Sequence, residues 1–241
     1  DLEQGLWRGY AARASELAEG ASVTDSVRLA ATFSTARVLD FDLYSRFSSR
    51  IMGCLQGSES GDAKMAAVDL KRLAVAFGRV RAFDTELMEL LVPMIVDRVE
   101  DFRPRDLVRI ADAYARMPVR SPDLFALVAE ALPSYLYDLE PPELTALCRS
   151  FAEAGVYNVE LVDALCSEVS KRLRSFGSQE CLTFLEGLSR LYARLPDELK
   201  RDDTEMVSSA VQHLSRLLGT LPAADLVRCL STLVRLDHYA P

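Results

Sequence analysis

Apolar residues recur along the chain with the spacing of one helix face, and each recurring segment opens with an acidic residue. These opening acids are Asp25, Asp69, Asp106, Glu143, Glu180 and Asp225. Four and eight residues after each of them stands an apolar or aromatic side chain, as in Ile110 and Tyr114. Side chains four residues apart share one face of an α-helix, so the pattern predicts six amphipathic helices, here called first helices.

A second amphipathic segment follows five of the first helices. It again begins with an acid and an apolar residue, in the pairs Asp42-Leu43, Glu86-Leu87, Asp123-Leu124, Glu160-Leu161 and Glu205-Met206. Ser121 is predicted to cap the segment that starts at Pro122, because a serine hydroxyl accepts a first-turn N–H and proline suits the first helical position. Each unit is therefore predicted to be a helix, a short turn and a second helix.

The unit is a repeat of about 37 residues. The intervals between the opening acids are 44, 37, 37, 37 and 45 residues, so two units carry insertions. The insertions are QGSESGD at 56–62 and PDELKRDD at 196–203, and both have the composition of surface loops. A pair of helices cannot bury its apolar faces alone, so neighbouring pairs must stack. The sequence predicts an all-α fold, a right-handed α-solenoid of about five and a half helical hairpins over residues 21–241.

The two ends of such a stack need covers. Residues 1–20 predict one more helix ahead of the first unit, and Trp7 and Tyr10 are expected to cover that end. The last unit has a first helix and no second one. We therefore expect its open apolar end to be covered by a further part of a longer chain or by another subunit.

Two positions of the first helix indicate tight packing. A small residue stands seven positions after every opening acid, namely Thr32, Ala76, Ala113, Ser150, Gly187 and Thr232. Small side chains allow close approach, so the first helices are expected to be packed on more than one side. The aromatic residues that follow, Phe33, Phe77, Tyr114 and Phe151, lie on the apolar face and are predicted to be core residues rather than base-stacking platforms.

The charge balance of the chain is acidic. The 241 residues include 28 Lys and Arg against 36 Asp and Glu, which gives a net charge of −8. That balance argues against DNA binding and against unaided, non-specific nucleic-acid binding, which usually needs a basic face. No apolar run approaches the roughly 18 residues that span a bilayer, so no membrane insertion is expected.

The acidic total hides two rows of arginine. Three residues after the opening acid stand Arg28, Arg72, Arg109 and Arg228, the first row, and ten residues after it stand Arg79, Arg116, Arg190 and Arg235, the second row. Positions seven apart share a helix face, so stacked units would align the arginines into two parallel lines. Such lines could follow a phosphate backbone through charge-assisted hydrogen bonds, which makes these eight arginines the candidate RNA-binding residues.

A structural interpretation of the same arginines stays open. An Asp and an Arg three residues apart can pair within a helix, and the second row lies near helix C-termini, where the dipole favours cations. The fourth unit interrupts both rows with Ala146 and Glu153. The rows are therefore compatible either with an RNA track or with ordinary solvated arginines.

No set of residues indicates catalysis or metal binding. The five cysteines, Cys54, Cys148, Cys166, Cys181 and Cys229, are odd in number and lack close pairs, so reduced, buried thiols are predicted. The two histidines, His213 and His238, have no evident nucleophile partner. Phosphate-binding glycine loops and zinc-protease motifs are missing from the sequence. We predict a non-enzyme without cofactor or metal.

The repeat resembles the octotricopeptide and heptatricopeptide repeat proteins, which are organellar helical-hairpin proteins related to those with a RAP domain. The resemblance covers residues 22–238 and rests on DLVRIADAYARM followed by SPDLFALV, and on ELTALCRSFAEAG followed by NVELVDAL. It implies a mitochondrial location, in the matrix, with a plastid as the less favoured alternative. It also implies a role in RNA metabolism or in an organellar ribosome.

These observations predict a non-catalytic helical-repeat scaffold in a mitochondrial RNA-containing assembly, such as a mitochondrial ribosome subunit or an RNA-processing factor. Its expected partners are protein subunits and, through the arginine rows, ribosomal or messenger RNA. The alternative is a protein-only scaffold or an accessory subunit of a respiratory or ATP synthase complex, which the net charge and the interrupted rows favour. A cytosolic peptide-binding groove of the tetratricopeptide type is a third possibility.

Overall fold

The computed structural model describes residues 2–57, 65–81, 84–195 and 204–236, and every regular element in these ranges is helical. The helices are α1 (Leu2–Leu17), α2 (Val23–Thr35), α3 (Phe41–Gly57), α4 (Ala67–Val80), α5 (Thr85–Val96), α6 (Pro104–Ala115), α7 (Pro122–Ala131), α8 (Pro141–Ala154), α9 (Val159–Arg172), α10 (Ser178–Tyr192), α11 (Thr204–Arg216) and α12 (Ala223–Arg235). The prediction of an all-α helical-repeat fold is confirmed. The insertion at 196–203, most of the insertion at 56–62 and His238 lie outside the described residues.

The helices begin where the acids indicate. All six opening acids lie in the first turns of α2, α4, α6, α8, α10 and α12, where a negative charge opposes the positive end of the helix dipole. The apolar residues that open the second helices, Leu43, Leu87, Leu124, Leu161 and Met206, are all buried. The chain divides into two compact units, residues 1–124 and 125–241, and each is described by itself.

In residues 1–124 the first helices pack side by side, α2 against α4 and α4 against α6. Their aromatic residues Phe33, Phe77 and Tyr114 are at most 3% exposed, so the prediction that they are core residues is confirmed. The Tyr114 hydroxyl donates to the carbonyl oxygen of Met88 at 2.8 Å and thereby ties α6 to the second helix of the preceding repeat. The side chains that fill the core are thus equivalent residues of successive repeats.

The small position of the first helices lies at a close helix contact. A Cβ atom added to Gly78 of α4 would lie 2.7 Å from both Cα and Cβ of Ala113 on α6. In residues 125–241, a Cβ added to Gly187 of α10 would lie 2.8 Å from Sγ of Cys148 on α8. The small residues Ala113 and Gly187, each seven positions after its opening acid, thus lie at close contacts between first helices of their own unit.

Residues 125–241 repeat the arrangement with α8 against α10 and α10 against α12. Phe151 is buried and meets Phe125 edge to face at 5.1 Å between ring centroids. Helix α12 leaves Val227, Leu230 and Val234 about two-thirds exposed, at 65%, 64% and 65%. The equivalent positions of α8 and α10 are buried. That the exposed apolar residues of α12 are covered by a further part of a longer chain or by another subunit stays a prediction.

The helix caps are partly those predicted. Second helices are capped by the residue three positions before the buried leucine, since Asp40, Asp84 and Asn158 accept the backbone N–H of Leu43, Leu87 and Leu161. Ser121 occupies the same position before α7, but its buried hydroxyl has no hydrogen-bond partner. The predicted capping bond of Ser121 is therefore wrong, although the predicted start of α7 at Pro122 is right.

At the N-terminal end, Trp7 of α1 meets Phe33 edge to face at 6.1 Å between ring centroids, as expected of a covering residue. Tyr10 touches Trp7 but is 56% exposed and covers little. Within the described ranges, no helix combines the length and the apolar character needed to cross a membrane.

Candidate nucleic-acid interface

The first arginine row is continuous in residues 1–124. Arg28 on α2, Arg72 on α4 and Arg109 on α6 stand at equivalent positions of adjacent helices, and all three are exposed. The helical period that places the phenylalanines inward therefore places these guanidinium groups outward on one surface. The surface formed by these three arginines is called the first-row surface below.

Local pairing explains only part of this row. Asp69 is 6% exposed and binds Arg72 at 2.9 Å, as the structural interpretation predicts. Asp25 instead accepts the hydroxyl of Ser22 at 2.7 Å, which also caps α2. Arg28 consequently has no ion pair among the described residues, and the local pairing predicted for it is wrong.

Arg109 is left exposed by a contact between repeats. Its neighbour Asp106 accepts a hydrogen bond from Lys71 of α4 at 2.9 Å, and both partners of this ion pair are about one-fifth exposed, at 19% and 20%. The predicted pairing of Asp106 with Arg109 does not form. The carboxylate thus stabilises the contact between α4 and α6, while Arg109 has no ion pair within the described ranges and faces solvent.

The second row lies at the C-terminal ends of the same helices, as predicted. Arg79 in the last turn of α4 donates to Thr35 Oγ1 of α2 at 3.2 Å, which links two repeats. Arg116 follows α6 directly and pairs with Asp112 at 2.6 Å. The cations lie where the helix dipoles are negative, and they keep exposed faces.

Two clefts join these arginines in residues 1–124. The first, with a volume of about 730 Å³, is lined by Trp7, Arg28, Arg72 and Thr35 among others. The second, about 580 Å³, is lined by Arg37, Arg79 and Arg116 together with Ser34, Thr35, Leu39 and Val80. Because Thr35 lines both, the two clefts adjoin at this residue, whereas Arg109 lines neither of them.

Sequence periodicity missed Arg37 as a member of this surface. Arg37 lies beyond the end of α2, so no helical spacing relates it to either row. Its backbone has a positive φ of 56°, which places it in the left-handed region. Arg81 at the end of α4 has the same conformation, and twelve residues separate each arginine from its opening acid. That shared offset was the signal available in the sequence.

Residues 125–241 offer a weaker candidate surface. Glu186 binds the Arg228 guanidinium at 2.9 and 2.8 Å, and Asp225 binds it at 2.6 Å. Their hydrogen bonds raise the pKa of Arg228 above its usual range, and bonds from Gln179 and then Arg228 lower the pKa of the Asp225 carboxyl. Two carboxylates thus neutralise Arg228 within the fold.

The other arginines of that unit are separated along the chain. Arg190 on α10 and Arg235 on α12 are exposed, and no ion pair involves either of them in the described ranges. Between them and the start of the unit stands Glu153 of α8, which pairs with Arg149 at 3.9 Å. Within residues 125–241, α8 thus contributes an arginine to neither row, as the sequence indicated.

The acidic charge is unevenly distributed between the two units. Residues 1–124 carry 17 Lys and Arg against 19 Asp and Glu, a net charge of −2, whereas residues 125–241 carry 11 against 17, a net charge of −6. The unit with the continuous first row is also the one with little net charge. Electrostatics consequently favours residues 1–124 as the surface for a polyanion.

The cysteines and His213, the other side chains with reactive groups, lie among contacts within the fold. No disulfide joins cysteines in the described part of the chain, and four of the five are buried as predicted, while Cys54 is only partly buried. Burial raises the pKa of Cys181 to about 12, so its thiol stays protonated at neutral pH. His213 lies 2.8 Å from the carbonyl oxygen of Phe176. No group of three His, Cys, Asp or Glu within the described ranges is arranged to hold a metal ion.

Comparison with known families identifies an RNA-associated group. Residues 9–230 match a family model described as RNA-editing substrate-binding complex 6 protein. No curated protein is significantly similar to the chain. The matched family is not one of octotricopeptide or heptatricopeptide repeats, so the resemblance seen in the sequence is confirmed only in its coarser part, an RNA-associated helical protein.

Proposed function

The chain belongs to the family of RNA-editing substrate-binding complex 6 proteins, and from this membership we propose that it is a non-catalytic helical-repeat component of a mitochondrial RNA-editing assembly. It holds RNA on the first-row surface of residues 1–124 and contacts protein subunits through other surfaces. The protein acts by non-covalent binding: spaced charges on a rigid set of helices bind the RNA backbone, and no covalent bond changes. A location in the mitochondrial matrix is part of this proposal.

The observation that carries the proposal is the state of the first-row arginines. Arg28 and Arg109 are exposed and have no ion pair in the described part of the chain, although an acid stands three residues before each of them. Their acids are engaged by Ser22 and Lys71 instead. Unneutralised guanidinium groups on α2 and α6, the two helices that flank α4, are suited to bind phosphates of a single strand.

The matched family also bears on the choice of assembly. Its description concerns RNA editing, which supports an RNA-processing role over a ribosomal subunit or an accessory subunit of a respiratory or ATP synthase complex. The net charge of −6 in residues 125–241 makes that unit poorly suited to RNA and better suited to protein partners with basic surfaces. The proposed role thus includes both kinds of partner.

The test is a titration of the protein with single-stranded RNA at two salt concentrations. Trp7, the only tryptophan of the chain, lines the cleft that contains Arg28 and Arg72, so its fluorescence reports binding there. Each phosphate contact contributes about 0.7 to the slope of log affinity against log salt for a single strand. The double variant Arg28→Ala/Arg109→Ala is therefore expected to lower the slope by about 1.4.

The matched control removes two charges from elsewhere in the same unit. Arg46 on the second helix α3 and Arg120 before α7 are both exposed and belong to neither row. Arg46→Ala/Arg120→Ala should leave the slope nearly unchanged. Equal effects of the two double variants, or RNA binding that is indifferent to salt, would reject the first-row surface. Absence of RNA binding by the intact chain would favour the protein-only scaffold.

A further inference from the structure

The cleft at the C-terminal ends of α2, α4 and α6 has the composition of an anion site. Its volume of about 580 Å³ falls within the range of ligand pockets, about 300–1,000 Å³. Three arginines and two hydroxyl residues line it beside Leu39 and Val80, and none of these lining residues is acidic. A ligand in this cleft would therefore meet cations and hydroxyl donors without a facing carboxylate.

A buried hydroxyl without a partner lies in the wall of this cleft. Ser34 is 1% exposed, and its Oγ makes no hydrogen bond. A helical serine usually donates to the carbonyl oxygen four residues before it, as Thr35 donates to Ala31 at 2.9 Å. The corresponding acceptor of Ser34 is the carbonyl oxygen of Ala30, which already accepts the hydroxyl of Tyr44 at 3.1 Å. The Ser34 hydroxyl is therefore a buried donor without a partner in the wall of the cleft.

The backbone of Arg37 is strained where glycine would be relaxed. Arg37 has φ 56°, Arg81 has φ 52°, and Gly155 has φ 70°, each twelve residues after an opening acid. Glycine adopts this left-handed conformation without steric cost, as Gly155 does, whereas an arginine does not. The repeat therefore tolerates glycine at this position, and Arg37 retains a charged side chain at the expense of strain.

The arginines of the cleft are only partly neutralised by the fold. Arg116 pairs with Asp112 at 2.6 Å, and Arg79 donates to the uncharged Thr35 Oγ1. Asp40, the acidic neighbour of Arg37 in an adjoining cleft, accepts the backbone N–H of Leu43 as the cap of α3. Of the three guanidinium groups, only that of Arg116 has an ion pair among the described residues.

We infer that this cleft binds a phosphate group of RNA, with Arg37, Arg79 and Arg116 around its oxygens and the Ser34 hydroxyl donating to one of them. The inference takes its ligand from the proposed function and adds a second contact site beside the first-row surface. An internal phosphodiester and a terminal phosphate share this chemistry. Guanidinium groups bind either through charge-assisted hydrogen bonds.

The decisive variant is Arg37→Gly, with Arg81→Gly as its matched control. Both substitutions remove one positive charge and relieve the same backbone strain, but Arg81 does not line the cleft. Both should therefore fold at least as stably as the parent chain. Only Arg37→Gly is expected to weaken RNA binding, by about tenfold, the effect of losing one charge-assisted hydrogen bond.

The titration uses one short RNA with either a 5′-hydroxyl or a 5′-phosphate end. Equal weakening of both RNAs by Arg37→Gly identifies an internal phosphodiester as the ligand, and weakening of the 5′-phosphorylated RNA alone identifies a terminal phosphate. Ser34→Ala removes the unpartnered hydroxyl and should lower affinity without loss of stability. Equal affinities of the Arg37→Gly and Arg81→Gly variants would overturn the phosphate site.

A second readout separates this inference from the proposed function. Inorganic phosphate alone should raise the melting temperature of the parent chain and of Arg81→Gly, and should raise that of Arg37→Gly less. If RNA binds through the first-row surface and the two glycine variants behave alike in both assays, only the cleft is rejected. If RNA fails to bind but phosphate protects the parent chain through Arg37, the proposed RNA role fails and the anion site stands without RNA as its ligand. Protection that is equal in all three proteins rejects the site.

Discussion

Gly78 lies inside α4 against the neighbouring first helix α6, and its replacement by alanine tests how the repeats stack. The added Cβ would lie 2.7 Å from Cα and Cβ of Ala113. Carbon atoms in ordinary contact are about 3.5–4.0 Å apart, so α4 and α6 would have to separate by about 1 Å. One of the clashing atoms belongs to the backbone, so no rotation of a side chain removes the overlap.

Two effects of opposite sign set the size of the change. Alanine is favoured over glycine in a helix interior by about 1 kcal/mol. Inserting a methyl group into a packed interior costs about 1–3 kcal/mol, and a backbone clash belongs at the upper end of that range. The expected net result for Gly78→Ala is a loss of about 1–2 kcal/mol in the free energy of unfolding.

The assay is urea unfolding followed by circular dichroism, with Gly53→Ala as the control. Gly53 lies within α3, and a Cβ added there would meet nothing within 4 Å. The control variant should therefore gain about 0.5–1 kcal/mol, the intrinsic preference for alanine. If Gly78→Ala is as stable as the parent chain while Gly53→Ala shows its gain, the close packing of α4 on α6 is refuted.

Three further predictions follow from particular contacts. Burial raises the thiol pKa of Cys181 from 9.0 to about 12, so between these pH values the thiol is ionised in the unfolded chain and protonated in the folded one. The free energy of unfolding should therefore fall from pH 9 to about 12. In urea titrations at each pH, a Cys181→Ala variant should lose part of this decline, and an identical decline would contradict the burial effect. Tyr114→Phe removes the hydrogen bond to Met88 and should cost about 1 kcal/mol in the same assay, whereas an unchanged stability would show that the bond contributes nothing. Arg228→Ala should cost up to about 1 kcal/mol, more at low salt, because it leaves the carboxylates of Glu186 and Asp225 without their shared cation, while Arg190→Ala should change stability by less than about 0.5 kcal/mol; equal losses in calorimetry would argue against a stabilising role of the Arg228 network.

The helices and their inward faces followed from the sequence. Opening acids and apolar residues at spacings of four are local signals, and a helix forms or ends within a few residues of them. Phe77 and Tyr114 were predicted to be core residues because their positions repeat on the apolar face, and both are buried. The same period placed Arg28, Arg72 and Arg109 on the outward face. Local chemistry was sufficient for all of these features.

The partners of those arginines depended on the tertiary structure. Sequence spacing offered Asp106 to Arg109, but Lys71, 35 residues away in the chain, takes that carboxylate. The availability of the Ser34 hydroxyl likewise depends on Tyr44, whose side chain arrives from the next helix. Competition for a hydrogen-bonding group is decided by distances between elements, which a helical period does not contain. The sequence alone thus determined which residues face outward, and only the packing of the repeats decided which charges and hydroxyls of the described residues are left without a partner inside the fold.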